Sequence, residues 1–332
     1  MGAPTKQVLF FQHLKAQLPL HKSMVEEVAE VLGISTDSAY RRIRGEKAID
    51  LEEICKLCSQ FHISIDQLLH LPGEAMIFTG KLYSYAPDNF GKWLQDLQQQ
   101  LELINSFGKK HIYVLIKDIP PFYHFQVPEL AAFKFFFWMK SILHEEKLRG
   151  EKFKFHDERY QGLYDRCEKV VALYNQIPTT EIWNIESLNT SLRQIRFYQE
   201  ANMFTSTQDI ILLYQKIEEM VNHIESQAEL GLKFTLGQQP NENAPSYRLF
   251  VNELILGDNT FLAQLDNERI TFLNHGVLYF ISTRDEGFNN AMFDSLNNLM
   301  KKSTLISSVG EKERNKFFSN LRQNIHRSLE AL

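Results

Sequence analysis

"GISTDSAYRRIRGEK", residues 33–47, sets three arginines on little more than one turn of helix, in a chain whose formal net charge is −5. Gly33-Ile34-Ser35 reads as a tight turn, and a short helix follows it. Arg41, Arg42 and Arg44 sit on that helix, with Lys47 just beyond. Two readings compete here: an ordinary solvated helix face, or guanidinium groups that meet phosphate and base edges.

Helix starts recur on both sides of this stretch. Ser23-Met24-Val25-Glu26, Asp50-Leu51-Glu52-Glu53 and Ser64-Ile65-Asp66-Gln67 each place a capping side chain three residues before Glu or Gln. The cap accepts from an orphan N–H of the first turn while the acid or amide reaches back, so each marks a helix N-terminus. With Ser35 or Thr36 capping one more, the spacing predicts five short helices at about 6–18, 24–32, 36–44, 51–61 and 65–70. Apolar residues follow helical spacing in them: Val8, Phe11, Leu14 and Leu18; Val25, Val28, Ala29 and Leu32; Leu51, Ile54, Leu57 and Cys58. Gly33 suits the break between the second and third helices, because a left-handed turn resists a Cβ. Ala29 is small enough for the next helix to cross closely. Ala39, Tyr40 and Ile43 are expected inward, which leaves Asp37, Ser38, Arg41, Arg42 and Arg44 outward. That is helix-turn-helix geometry, in which a short polar face enters a major groove.

Over "VAEVLGISTDSAYRRIRGEKAIDLEEICKLCSQFHISIDQLL" the segment resembles the lambda-repressor/Cro-like family of bacterial DNA-binding domains. The resemblance spans about residues 6–70 and implies a five-helix, all-α domain whose partner is double-stranded DNA. Members of that family usually bind two half-sites as symmetric dimers, so a homodimer is expected. The residues expected at the DNA are Ser35, Thr36, Asp37, Ser38, Arg41, Arg42, Arg44 and Lys47. Arginine pairs bidentately with guanine O6 and N7 and grips phosphate as a fork. The hydroxyls reach bases or phosphates, and Asp37 either accepts from cytosine N4 or stays in solvent. The bland alternative is a helical hairpin inside an ordinary all-α domain.

Charge fits a local patch rather than a basic domain. Residues 1–70 hold eight Lys/Arg and nine Asp/Glu, a net of −1, and the remainder carries −4. With 332 residues, 44% hydrophobic and 12% aromatic, the chain has material for two or three domains and argues against disorder. Most of its 25 Phe follow position 90, so the larger core belongs there. Three cysteines make no disulfide framework, which fits a reducing cytoplasm. Cys55, Cys58 and His62 fall on one helix face. A metal or redox site is one reading of it; core packing is the expectation, with no metal and no cofactor. "VLFFQHL" is too short for a signal peptide, and "LAAFKFFFWMKSIL" contains Lys134 and Lys140 and falls short of a membrane span.

Residues 1–72 are thus expected as the DNA-binding domain, 73–87 as a Pro- and Gly-marked linker, and 88–332 as a second, α+β domain. In the latter the pattern predicts a helix at about 89–106, a strand at "HIYVLIK", and helices at about 128–148, 157–176, 180–203 and 207–230. "YRLFVNELIL", "TFLAQL", "RITFLN" and "VLYFIST" are expected to form an antiparallel meander. Helices at about 285–300 and 309–330 close the chain, the last with capping-box spacing from Ser308. In that last helix Phe317, Leu321 and Ile325, widened by Phe318 and Leu329, offer an apolar stripe for a dimer contact.

Catalytic motifs are absent: there is no Walker loop, dinucleotide-binding glycine pattern, G-x-S-x-G elbow or H-E-x-x-H helix. His156-Asp157-Glu158 reads as a capped helix start. Lys117-Asp118 reads as a turn ahead of Pro120-Pro121, with a pocket wall as the alternative. "KDIPPFYHF", "ELAAFKFFFWMK" and "EIW" are similar to bacterial one-component regulators that carry the same N-terminal module. The resulting expectation is a cytoplasmic, sequence-specific transcriptional regulator, not an enzyme. Its second domain senses a small-molecule or protein effector, or sets the oligomer. The rivals are an enzyme with an appended DNA-binding module and a protein-interaction scaffold. An apolar pocket with few polar groups favours sensing, and a titratable cluster in a deep pocket favours catalysis.

Overall fold

Met1–Ile77 and Phe78–Leu332 form two units in a computed structural model that describes residues 5–18, 22–61, 63, 76–80, 89–254 and 259–332. In the first unit α1 spans Lys6–Gln17, α2 Met24–Leu32, α3 Thr36–Ile43 and α4 Leu51–Phe61. Phe10, Phe11 and Leu14 of α1 meet Val28 and Ala29 of α2, Ala39 of α3 and Leu57 of α4 in one small core. The helix expected at 65–70, with its Ser64 cap, lies outside the described residues. Of the other starts, α4 has the expected reciprocal cap: Glu53 N donates to Asp50 Oδ1 at 2.8 Å and Asp50 N to Glu53 Oε2 at 3.4 Å. α2 begins at Ser23 without a side-chain cap.

The second unit is built on an eight-stranded mixed sheet. In chain order it contains β1 (Thr79–Gly80), α5 (Asn89–Asn105), β2 (Lys110–Leu115), α6 (Pro121–His124), α7 (Pro128–Phe137), α8 (Gln161–Tyr174) and β3 (Thr179–Trp183). Then follow α9 (Asn189–Glu200), α10 (Thr207–Leu230), β4 (Tyr247–Val251), β5 (Thr260–Leu265), β6 (Glu268–His275) and β7 (Tyr279–Thr283). α11 (Glu286–Lys301), β8 (Thr304–Leu305) and α12 (Glu311–Glu330) complete it. The strand order is β1-β7-β6-β5-β2-β3-β4-β8. β2, β3 and β4 run parallel, and the other pairings are antiparallel.

Side chains alternate across this sheet as a pleat requires. Ile112, Val114, Trp183, Leu249 and Ala263 face a thick helical layer, while Leu115, Ile182, Phe250 and Leu262 face Leu296 of the single helix α11. Burial on both faces explains two departures from the sequence reading. "TTEIW" is a fully buried strand rather than the start of a helix at 180–203, because a strand covered on both sides shows no alternation to betray it. "YRLFV" pairs with β3 and β8 and not with β5, so the meander consists of β5, β6 and β7 only. Within 73–87, read as a linker, Thr79–Gly80 is the edge strand beside β7.

Two further expectations are corrected. The last helix starts at Gly310 in the left-handed region with no side-chain cap, and the Ser308 box does not form. Phe317, Phe318, Leu321 and Ile325 are buried in the unit's own core, where α12 packs on α10, so the stripe is not spare surface for a dimer. The aromatic run 128–142 is α7 continued by a π-helical turn, Trp138–Ile142, buried on several sides. Among the described residues no helix is long and apolar enough to cross a membrane.

Candidate nucleic-acid interface and internal cavity

Gly33, with φ 65°, closes α2 in the left-handed conformation, and Ile34 N donates back to Ala29 O at 3.0 Å. Ser35 then caps α3, its hydroxyl accepting from Ser38 N at 3.3 Å. The chain thus turns sharply between two helices that share Val28, Ala29 and Ala39 as their contact, which is the helix-turn-helix arrangement.

The phase of α3 differs from the sequence reading at two positions. Arg42 was expected outward, and it is buried. Its Nε donates to Glu53 Oε2 at 2.9 Å and its Nη2 to Glu53 Oε1 at 2.6 Å. Nη1 donates to Ser38 Oγ at 2.7 Å and Ser38 O at 3.2 Å. Those hydrogen bonds hold the Glu53 carboxyl below its ordinary value and raise the Arg42 guanidinium. Tyr40 was expected inward, and it is 48% exposed with the Arg44 guanidinium 5.6 Å from its ring centroid. The physical reason is the helical period: Ala39, Arg42 and Ile43 lie at i, i+3 and i+4, and an arginine enters a core when a carboxylate waits for its fork.

The remaining expected residues stay at the surface. Ser35, Thr36, Asp37, Arg41, Arg44 and Lys47 are exposed, while Ser38 is half-buried and engaged with Arg42. Arg44 Nε lies 3.3 Å from Glu46 Oε1, a solvent-screened pair. Beyond α3 the chain is tied down by Gln7 of α1, whose Nε2 donates to Arg42 O and Lys47 O, both at 2.7 Å, and whose Oε1 accepts from Ile49 N at 3.2 Å. α3 is therefore fixed from behind by α1 and α4, and presents Thr36, Asp37, Tyr40, Arg41 and Arg44 outward. Tyr40 is the surface residue that sequence reasoning missed. Glu53, read from the sequence only as a capping-box acid, is the carboxylate that draws Arg42 inward and so turns Tyr40 out.

On α4, Cys55 is exposed, and only Cys58 packs at the core margin, where burial pushes its thiol up. His62 lies outside the described residues, and among the described residues no group of three His, Cys, Asp or Glu is placed to hold a metal.

A cavity of about 500 Å³ lies in the second unit, between α5 and the helical-layer face of β5, β6, β7 and β1. Leu97, Leu101, Ile104, Ile112, Ala263 and Leu278 line it with the rings of Trp93, Phe122, Tyr174, Phe261, Phe272 and Phe280. Its polar lining positions include Asp96, Gln99 and Gln100 on α5 and Thr79 and Ser282 on the paired strands β1 and β7. Tyr174 backs the inner end, its ring stacked on Phe122 with centroids 3.8 Å apart. Its hydroxyl donates to Glu181 Oε1 at 2.6 Å.

Glu181 sits mid-sheet and also accepts from Tyr123 at 3.0 Å, Trp183 Nε1 at 2.9 Å and Tyr247 at 3.2 Å. Burial pushes its carboxyl up, opposed by the buried Lys233 and by these donors.

Asp118, two residues before Pro120-Pro121, accepts from Ile119 N at 2.8 Å and also lies 3.5 Å from Lys134 Nζ. Lys134 donates to Ser191 Oγ at 2.9 Å and Gln194 Oε1 at 2.8 Å, and His124 Nε2 stands 2.9 Å from the same hydroxyl. Burial raises Asp118 and lowers Lys134, so the site is adverse to both charges. Ser191 joins Asp118, Lys134 and His124, whose Nδ1 has no hydrogen-bond partner, and none of these residues lines the cavity. His156 adds nothing to it; Asp157 caps the short turn Glu158–Tyr160 and pairs with Arg159.

Residues 13–81 match the family model of the BetR domain, a span that contains α2, the turn, α3 and α4. The match supports a helix-turn-helix, DNA-binding regulator module in the first unit. No curated protein and no solved structure matches the chain.

Proposed function

We propose that this chain is a sequence-specific transcriptional regulator that reads duplex DNA with the exposed face of α3 and takes an effector in the cavity of its second unit. The observation that carries the reading is the clamped α3: a short helix held by Arg42–Glu53 and Gln7, offering Ser35, Thr36, Asp37, Tyr40, Arg41, Arg44 and Lys47 to a partner. Arginine suits guanine edges and phosphates alike, and a tyrosine hydroxyl donates to phosphate. Arg42 acts from behind, as a positioning residue. The BetR match points the same way.

An effector-sensing role for the second unit rests on the character of its cavity. Its volume is that of a small-molecule site, and its walls are apolar rings with few polar groups. The buried Asp118–Lys134–Ser191–His124 group lies away from those walls, which favours sensing over catalysis. A single short α3 reads few base pairs, so the working form is a homodimer on two half-sites in the cytoplasm, where the DNA is. Selection of random duplexes on the full-length protein tests this reading. The recovered sequences should carry two related half-sites about one DNA turn apart. Recovery of no enriched sequence would count against DNA recognition, and a lone half-site would count against the dimer.

A further inference from the structure

The sheet of the second unit has another face, opposite the cavity, and α11 covers only part of it. Met292, Phe293 and Leu296 of α11 pack there with Leu115, Ile182, Phe250 and Leu262. Beside that apolar area His111, Tyr113 and Gln264 are half-buried, and Arg248 is exposed. The register sets Tyr113, Thr180 and Arg248 in one row across β2, β3 and β4. His111, Gln264 and Arg269 form the next row, across β2, β5 and β6. Residues two apart on a strand, and their cross-strand partners, share a face, so these side chains rise together. Arg248 stands about 10 Å from Tyr113, two strand spacings away and within an arginine's reach.

These polar groups are not spent on one another. His111 Nε2 meets Thr180 Oγ1 at 2.8 Å. Among the described residues no protein group hydrogen-bonds the Arg248 guanidinium, the Tyr113 hydroxyl or the Gln264 side-chain amide. Arg248 leans on the Phe250 ring, 5.1 Å from its centroid. Arg269 lies 3.9 Å over Phe293 and hydrogen-bonds through Nη1 alone, to Asn290 Oδ1 at 2.5 Å. Burial raises the Tyr113 phenol while Arg248 and Arg269 pull it back down, and burial and then Arg248 lower His111. Both rings therefore lie in the field of a guanidinium. The carboxylates next in sequence are placed elsewhere. Glu268 alternates to the opposite face from Arg269 and is held by Arg284 at 2.9 Å. Asp294 follows Phe293 and is turned about 100° further round α11.

We infer that this sheet face binds a small oxyanion, a phosphate or carboxylate group, between the Arg248 guanidinium and the Tyr113 hydroxyl. The guanidinium fork donates to two oxygens, the geometry arginine is suited to, and the tyrosine O–H donates to one of them or to a third. Arg269 and Gln264 stand at the margin. This site is independent of the cavity and of α3.

Calorimetric titration of the full-length protein with inorganic phosphate and, separately, with acetate tests this, chloride holding the ionic strength constant. At least one of the two should bind saturably, at one per chain on this face, and the comparison tells phosphate from carboxylate. Arg248→Ala should weaken that binding at least about tenfold. Tyr113→Phe, which keeps the ring edge-on to Phe293, should weaken it several-fold. Arg41→Ala on α3 and Arg284→Ala beyond β7 should each leave it unchanged. The His111 ring resonances, assigned with His111→Gln, should shift along the same saturation curve. Saturable binding of neither anion, unchanged affinity in Arg248→Ala or Tyr113→Phe, or an equal loss in Arg41→Ala or Arg284→Ala would overturn the inference. So would lost duplex affinity in Arg248→Ala with anion binding intact, which would put a DNA phosphate on this face instead.

Discussion

Arg42 of α3 and Glu53 of α4 grip each other through two parallel hydrogen bonds of 2.9 and 2.6 Å, with their side chains only 7% and 16% exposed. The pair joins the groove-facing helix to the one that supports it. Removing one partner strands the other, so Arg42→Ala should destabilise the first unit by about 2 kcal/mol, between a surface pair and a fully buried one. Hydrogen exchange at α3 amides reads this directly. Protection unchanged from wild type would show that the pair is not structural.

The same pair sets a pH dependence. Glu53 is held below its ordinary value of 4.5, chiefly by its hydrogen bonds from Arg42. A depressed carboxylate contributes stability that is complete above its unfolded-state pKa and lost as pH falls through the folded-state value. The stability gap between wild type and Glu53→Gln should therefore be constant from neutral pH down to about 5 and shrink below the ordinary value. A gap that widens on acidification contradicts the assignment.

Glu181 is the acceptor for four buried donors, three tyrosine hydroxyls and one indole N–H. Glu181→Ala orphans all of them at once and should cost the second unit about 3–5 kcal/mol in denaturant unfolding. Glu181→Gln, which keeps the volume and one acceptor oxygen, should cost less. Equal and small losses in both variants would mean that the centre is not structural.

Removal of α12 should not yield a folded monomer. Phe317, Phe318, Leu321 and Ile325 lie inside the core, and a chain ending at Gly310 leaves their partners on α10 uncovered. The expected product is aggregated or has lost its cooperative thermal transition, which sedimentation and calorimetry would record. A well-folded truncation of either oligomeric state goes against this packing.

Cys55 and Cys58 should behave as separate thiols. Exposed Cys55 should alkylate quickly and half-buried Cys58 slowly, as mass spectrometry of iodoacetamide adducts would report. Cys58→Val should preserve duplex binding. Stoichiometric zinc in the purified protein, lost on that substitution, contradicts a packing role.

The Asp50 capping box, the Ser35 cap and the Gly33 turn were legible because capping chemistry and left-handed turns are local, whereas the boxes read at Ser23 and Ser308 do not form. The phase of α3 was not. Eight residues with two arginines, and a third at the C-cap, suit more than one inward face, and the choice is made by Glu53, eleven residues beyond Arg42 in sequence but adjacent to it in space. The sheet order was hidden for a related reason. β3 and β4 are covered on both faces, and their parallel pairing depends on which helices return the chain, a long-range choice with no local mark. The cavity was invisible because its apolar walls, such as Trp93, Leu101, Phe122 and Ala263, are core residues by every local measure. Only the distance between α5 and the edge strands makes them a site.

The central claim, that α3 reads DNA through its exposed face while Arg42 holds it from behind, is tested most directly by fluorescence anisotropy on a selected duplex and a scrambled one. Wild type is to be compared with Arg41→Ala, Arg44→Ala and Arg42→Lys, each shown to be folded. Arg41→Ala and Arg44→Ala should narrow the gap between the two duplexes by about 1–3 kcal/mol wherever the lost side chain reads a base, and weaken both duplexes alike where it grips phosphate. Arg42→Lys should leave the sequence preference in place. Unchanged binding in both exposed variants, or loss of preference in Arg42→Lys alone, would contradict the account.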